Sequence, residues 1–130
     1  MKRCLFCGKN IPNRNKYCNN KCQAEYEYLL FVENWKTGNN SGTKGHWGQL
    51  SNHIRRYMLE KNQYKCSICG WGEVNPYTNT IPLEIDHIDG DASNNREENL
   101  RVVCPNCHSL TPSYRGANRG NGRPIIWKLK

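Results

Sequence analysis

Eight cysteines, arranged as two sets of four, constrain the fold of this 130-residue chain more than any other feature. Within each set the cysteines form two pairs with two or three residues between the partners. Such spacing is typical of thiolate ligands to zinc, whereas disulfide bonds need an oxidising compartment. The sequence therefore predicts two structural Zn²⁺ ions. The predicted ligands are Cys4, Cys7, Cys18 and Cys22 for one ion and Cys66, Cys69, Cys104 and Cys107 for the other.

The size and composition of the chain favour a small core that relies on metal. Hydrophobic residues make up 36% of the chain, and this fraction includes the cysteines. Metal ligation adds folding free energy directly, so it compensates for limited apolar burial. The chain starts without an apolar signal-like region, and no stretch approaches the roughly 20 apolar residues of a membrane helix. We expect a cytoplasmic protein with no membrane partner.

The charge of the chain indicates a polyanionic partner. The formal net charge is +8. Eight thiolates add eight negative charges and two Zn²⁺ ions return four positive ones, so the charge falls to about +4 with zinc bound. The protein stays basic, and we expect its partner to be nucleic acid.

Composition along the chain predicts three segments. Residues 1–36 form an N-terminal four-cysteine zinc finger followed by a helix, and residues 37–46 form a linker rich in Gly, Asn and Ser. Residues 47–130 form the main domain, which ends in a basic tail. Apolar residues at helical spacing predict a second helix over residues 48–61.

Between the cysteine pairs of the second set, the pattern predicts a hairpin. A strand over residues 83–88 is followed by an 11-residue polar loop, and a returning strand covers residues 100–103. A helix then starts at Asn106 and extends to about residue 113, bent at Pro112. Together these elements predict a small, metal-stabilised α+β fold.

Four polar residues in this segment suggest hydrolytic chemistry. They are Asp86, His87, Asn99 and His108. A neutral imidazole is a suitable general base near neutral pH, and a carboxylate with one imidazole leaves a hard cation several open positions for phosphate and water. Asn94 and Asn95 are alternatives for the central asparagine, although Asn99 fits the spacing better.

Residues 83–90 (LEIDHIDG) and 99–108 (NLRVVCPNCH), bracketed by the second cysteine set, resemble the HNH endonucleases of the phage and homing types. The resemblance covers residues 66–108 closely. It implies a ββα-metal fold, also called the His-Me finger, with an N-terminal zinc-knuckle module appended.

The resemblance also implies roles for these residues in cutting DNA, which we expect to be double-stranded. His87 would be the general base that activates water, and Asp86 and His108 would hold one catalytic divalent cation, Mg²⁺ or Mn²⁺. Asn99 would keep the imidazole oriented without touching substrate. Arginines of the basic tail are expected to contact DNA phosphates. These arginines are Arg115, Arg119 and Arg123.

Several alternatives remain open at this level. One alternative is a non-catalytic module with two zinc ions that binds DNA or has a regulatory role. Another is an adaptor that binds a protein partner through the helices of residues 23–62. Glu84 contributes either to the cation site or only to surface charge, and we favour surface charge. Each of these functions is compatible with a homodimer or with a larger phage complex in the host cytoplasm. The sequence does not separate homing, restriction and packaging roles.

Overall fold

Backbone contacts divide the chain into two units, Met1–Asn40 and Ser41–Lys130. The computed structural model describes residues 1–44 and 49–112. The division between the units falls within the linker that the sequence predicts over residues 37–46. The tail arginines predicted to contact DNA, Arg115, Arg119 and Arg123, lie outside the described residues.

The first unit contains one short hairpin and one long helix. Strands β1 (Lys2–Arg3) and β2 (Asn10–Ile11) pair antiparallel. Helix α1 (Asn20–Lys36) starts after Asn19, whose side chain accepts a hydrogen bond of 2.9 Å from the backbone N–H of Cys22. This cap satisfies one of the amides that every helix start leaves without an intrahelical acceptor. The side chains of α1 that are buried are Tyr28, Val32 and Trp35.

The second unit begins with a small hairpin where part of a helix was expected. Strand β3 (Thr43–Lys44) pairs antiparallel with β4 (Gln49–Leu50), and helix α2 (Asn52–Lys61) follows. The predicted helical start at residue 48 is therefore wrong. Ser51 is extended, and its hydroxyl accepts a 3.1 Å hydrogen bond from the N–H of His53, so the helix begins only after this cap.

The central hairpin of the second unit matches the predicted one closely. Strand β5 (Glu84–His87) pairs antiparallel with β6 (Leu100–Val103), and a 3₁₀ turn (Glu97–Asn99) leads into β6. Helix α2 packs against β6, and the side chains of Ile54, Val102 and Val103 are fully buried. This small core supports the hairpin from one side.

A short helix, α3 (Pro105–His108), follows β6 directly and contacts both strands of the hairpin. The predicted helix extended to about residue 113, but the regular helix ends at His108. After it, Leu110 and Thr111 donate backbone hydrogen bonds to carbonyls three residues earlier, which is a tighter turn than an α-helix. Pro112 disfavours helical geometry at Thr111, which explains the early end.

Candidate functional site

Two turns with the same backbone geometry begin the two cysteine sets. We call residues 4–8 the first knuckle and residues 66–70 the second knuckle. In each, the glycine donates its N–H to the carbonyl of the first cysteine at 3.0 Å. Both glycines, Gly8 (φ 78°) and Gly70 (φ 81°), have the left-handed backbone that disfavours any other residue. The chain therefore uses one local solution twice to place two thiols on the same side of a turn.

Each cysteine set gathers into a cluster that fits a tetrahedral, thiophilic cation. Within each cluster the sulfur atoms all lie within 4.8 Å of one another. The Sγ atoms of Cys7 and Cys18 are 3.2 Å apart, and those of Cys69 and Cys104 are 3.7 Å apart. A disulfide bond needs about 2.05 Å, whereas four thiolates at about 2.3 Å from one Zn²⁺ ion are separated by roughly 3.8 Å. The clusters have the donor type and spacing of closed zinc sites.

Backbone amides already favour one thiolate in each cluster. Burial raises the pKa of Cys66, but the N–H groups of Cys69, Cys104 and Ile68 outweigh it and lower this pKa to about 6. The pKa of Cys4 is also lowered to about 6, because amides of its own cluster again outweigh burial. A thiolate near neutral pH is the ligand form that zinc requires.

One thiol in each cluster instead has a raised pKa. A hydrogen bond with the Cys7 side chain, followed by burial, raises the pKa of Cys18 to about 12. Burial, followed by contacts with the other sulfurs, raises the pKa of Cys107 to about 12. A bound cation would replace these protons, so metal binding by either cluster releases protons.

The second cluster holds three structural elements together. The backbone N–H and the hydroxyl of Ser67 both donate to the carbonyl of Val102, at 2.8 and 2.7 Å, which attaches the second knuckle to β6. Cys104 ends β6 and caps α3, since its sulfur accepts from the N–H of Cys107 at 3.3 Å. His108 follows Cys107 directly, and its N–H donates to the Cys104 carbonyl at 2.8 Å. The cluster therefore positions the His108 backbone relative to the hairpin.

His87, at the end of β5, contacts Asn95, which the sequence indicated only as an alternative to Asn99. The Nε2 atom of His87 lies 2.6 Å from Oδ1 of Asn95. Asn95 is buried, with only 3% of its surface exposed. An amide oxygen only accepts hydrogen bonds, so Nε2 carries the proton and the lone pair of the neutral ring lies on Nδ1. Asn95 thereby sets both the tautomer and the orientation of the imidazole.

Asn99 closes the polar loop instead of contacting the His87 ring. Its Nδ2 donates to Asp89 Oδ1 at 2.9 Å and to the Asn94 carbonyl at 2.8 Å, and its Oδ1 accepts from the Asp89 N–H at 3.0 Å. The Asn99 carbonyl also accepts from the N–H of Ile88 at 2.8 Å. These bonds join the start and end of the loop immediately after His87, and the same closed loop carries Asn95.

Asp86 and Arg101 form an ion pair across the hairpin. They are directly opposite in the register of β5 and β6, and Arg101 Nε donates to Asp86 Oδ2 at 2.8 Å. The Asp86 side chain is 5% exposed and that of Arg101 is 29% exposed. A buried carboxylate is costly without a partner, so Arg101 compensates the charge of Asp86 in the absence of a cation.

His108 and Glu84 form a second pair on the same side of the hairpin. His108 Nδ1 lies 2.5 Å from Glu84 Oε2, and Glu84 is two residues before Asp86, so both carboxylates project from one face of β5. In the described part of the chain, the groups of three or more ligand-type side chains within 4.8 Å are the two cysteine clusters. Glu84, Asp86 and His108 do not form such a group.

Comparisons with known proteins find relatives of this chain. Residues 72–109 match the family model of the HNH endonucleases. The H-N-H endonuclease F-TflIV of Escherichia phage T5 is 36% identical to the chain over 113 residues, which cover 85% of this chain and 42% of the phage protein. The Zorya protein ZorE of Escherichia coli is 36% identical over 77 residues, which cover 59% of this chain and 19% of that protein. No solved structure matches the chain significantly.

The hairpin, the short helix and the family match together define a nuclease-type domain. Residues 72–109 of the chain match the HNH endonuclease family, as residues 83–90 and 99–108 predicted. The chain spans less than half the length of either of these relatives. Within residues 1–44 and 49–112, no helix combines the length and the apolar character needed to cross a bilayer.

The stability of the loop that carries Asn95 should depend on the ionisation of Asp89. Hydrogen bonds from the Asn94 side chain, the Asp91 amide and the Asn99 side chain lower the pKa of Asp89 below its ordinary 3.8. Because this pKa is lower in the folded chain than in the unfolded one, the carboxylate stabilises the loop above the unfolded pKa. This stabilisation is lost as pH falls through the folded pKa. NMR titration of the carboxyl carbon measures the shift.

The matched comparison for this titration is Asn99→Ala against Asn106→Ala. The first removes a donor to Asp89 and should bring its pKa back towards 3.8, whereas the second replaces an exposed side chain of α3 and should leave it unchanged. An unchanged Asp89 pKa in Asn99→Ala would contradict the assigned cause.

Proposed function

We propose that this chain is a metal-dependent HNH endonuclease that hydrolyses phosphodiester bonds in DNA. The observation that carries the proposal is the hairpin β5–β6 with α3. These elements carry Asp86, His87 and His108, and they lie inside the segment that matches the family model. In this interpretation β5, β6 and α3 are the ββα-metal unit of the family.

His87 acts as the general base. With its Nε2 proton donated to Asn95 Oδ1, the Nδ1 atom carries the lone pair that accepts a proton from the attacking water. The contact with Asn95 also stabilises the imidazolium that forms, because an amide oxygen attracts the proton on the opposite nitrogen. Asn99 acts one step further away, by closing the loop that holds Asn95 in place.

Asp86 and His108 are the residues that would hold the catalytic divalent cation. One carboxylate and one imidazole fit a hard or borderline cation such as Mg²⁺ or Mn²⁺, which prefers few protein ligands and keeps other positions for water and phosphate. When bound, such a cation neutralises charge on the phosphate and stabilises the departing 3′ oxygen. The chain contributes the placement of both ligands through β5 and α3.

The two cysteine clusters hold structural Zn²⁺ ions in this proposal. Four thiolates leave no open position, so neither ion takes part in the reaction. The second ion fastens the second knuckle, the end of β6 and the start of α3. The first ion stabilises the N-terminal unit. The lysines and arginines of this unit are compatible both with a contact to DNA and with a purely structural role.

We infer that double-stranded DNA is the substrate. The relative from phage T5 is named an H-N-H endonuclease, and the basic charge of this chain suits a polyanion. The tail arginines, with their expected phosphate contacts, remain part of this proposal. The proposal also includes a cytoplasmic site of action, where a phage-encoded protein would bind host or phage DNA.

Replacing His87 tests the proposed reaction. His87→Ala removes the base, so the rate of plasmid cleavage with Mg²⁺ or Mn²⁺ should fall by about 10²–10⁴-fold. His53→Ala, a histidine on α2 outside the proposed site, is the matched control and should cleave like the parent. Mapped ends on supercoiled and linear plasmid provide the measurement. Cleavage by the parent no faster than by His87→Ala, together with salt-sensitive duplex binding, would instead establish the non-catalytic two-zinc module.

Replacing Asn95 tests its role in orienting the base. Asn95→Ala should lower kcat by up to about 100-fold and leave KM nearly unchanged, because the ring loses its orientation but the DNA contacts remain. Asn95→Asp keeps an oxygen that accepts the Nε2 proton, as carboxylates do beside catalytic histidines, and should restore most of the rate. Equal kcat values for the parent and Asn95→Ala would refute the assignment.

A cysteine substitution in either cluster should lower the zinc content equally, whereas the hairpin structure should respond only to the second cluster. Cys107→Ser and Cys18→Ser should each reduce the zinc content from two ions to one, measured by native mass spectrometry. Loss of a structural ion removes stabilisation on the order of 10 kcal/mol. Only Cys107→Ser should therefore abolish the folded amide NMR signals of β5 and β6. Retention of these signals in Cys107→Ser would show that the second ion is dispensable for the hairpin.

A further inference from the structure

We propose that Glu84 is a positioning residue for the catalytic cation, acting through His108. Glu84 would accept the Nδ1 proton of His108 and thereby keep the Nε2 lone pair available as the ligand atom. This inference rests on the proposed function, in which His108 and Asp86 hold the cation. It replaces the sequence-based preference for Glu84 as a mere surface charge.

The contact between the two side chains determines the tautomer. His108 Nδ1 lies 2.5 Å from Glu84 Oε2, and a carboxylate oxygen accepts a proton without donating one. In the neutral ring the proton is therefore on Nδ1 and the lone pair is on Nε2. Histidine ligands of protein metal sites commonly donate their second ring N–H to a carboxylate in this way.

The backbone around both residues keeps this contact in register. Glu84 lies at the start of β5, opposite Val103 of β6, which is completely buried. His108 lies at the end of α3, which Cys104 caps from the end of the same strand β6. Glu84 and His108 are thus both held close to the end of β6, one by strand pairing and the other by the helix cap. Their side chains are therefore in contact without a long flexible segment between them.

The ion pair of Asp86 makes the orientation of His108 more important. Arg101 Nε donates a hydrogen bond of 2.8 Å to Asp86 Oδ2, so one of the two carboxylate oxygens already has a charged partner. Oδ1 is the atom that we assign to the cation. With only one oxygen from Asp86, a larger part of the affinity must come from His108, whose lone pair has to point at the ion.

Cation binding by a cleavage-inactive protein tests the proposal without reference to activity. In a His87→Ala background, Mn²⁺ affinity is measured by electron paramagnetic resonance, and the His108 tautomer is read from ¹⁵N chemical shifts at about pH 8, where an ordinary imidazole is neutral. Glu84→Ala should weaken Mn²⁺ binding by about 10–100-fold and shift the tautomer population away from Nδ1–H.

Glu84→Gln separates hydrogen bonding from charge. The glutamine carbonyl accepts the same Nδ1 proton without a negative charge, so Mn²⁺ affinity and the tautomer should stay close to those of the parent, within about threefold in affinity. Glu73→Ala removes an exposed carboxylate from the loop after the second knuckle and should leave both readouts unchanged. Equal losses in Glu84→Gln and Glu84→Ala would assign the effect to charge alone and overturn the positioning role.

Two further variants separate this inference from the proposed function. Asp86→Ala and His108→Ala should each abolish the measured Mn²⁺ binding. If they bind Mn²⁺ like the parent, the assignment of the cation ligands is wrong. If they lose binding while Glu84→Ala retains parental affinity and tautomer, the ligand assignment stands and the role of Glu84 is refuted. Zinc content and circular dichroism of every variant confirm that the fold is intact.

Discussion

The second cysteine cluster is the interaction on which the rest of the site depends. Its four sulfurs come from the second knuckle, the end of β6 and the first turn of α3, so one bound ion would join all three. The apolar core beside it is small, with Ile54, Val102 and Val103 as its fully buried side chains. A core of this size supplies limited burial energy, and metal ligation compensates for it because it adds folding free energy directly.

The functional side chains extend from this anchored frame through two kinds of contact. Asp86 and Glu84 lie on β5 itself, and their partners Arg101 and His108 are positioned by strand register and by α3. His87 instead contacts Asn95 of the polar loop, which is closed by the hydrogen bonds of Asn99. The proposed base is therefore oriented by a network of amides and carboxylates, whereas the proposed cation ligands are oriented by secondary structure.

The anionic groups of the site each have a local partner. Arg101 compensates the buried Asp86 carboxylate, and the amides around Cys4 and Cys66 favour thiolates before metal binds. Each of these anionic groups is thus stabilised by an arginine or by backbone amides, which limits the cost of keeping negative charges close together.

Local spacing in the sequence determined a large part of this description. The C-x₂-C and C-x₃-C steps predicted the two cysteine clusters. Alternation predicted β6 at its observed bounds and β5 to within one residue at each end. The resemblance to the HNH endonucleases is confirmed by the family match. These features follow from neighbours a few residues apart. The start of α2 was missed because Gln49 and Leu50 pair with residues of a preceding strand, and helical periodicity does not report such pairing.

Only the tertiary structure decided which polar groups meet. Asn95 rather than Asn99 contacts the His87 ring, because closure of the loop turns residue 95 inwards while Asn99 is used to hold the loop closed. The partners of Asp86 and His108, fifteen and twenty-four positions away from them, depend on the register of β5 against β6 and on the direction in which α3 leaves the strand. Hydrogen bonds are short and directional, so a shift of one residue in register would exchange every partner, and residue spacing along the chain does not determine that register.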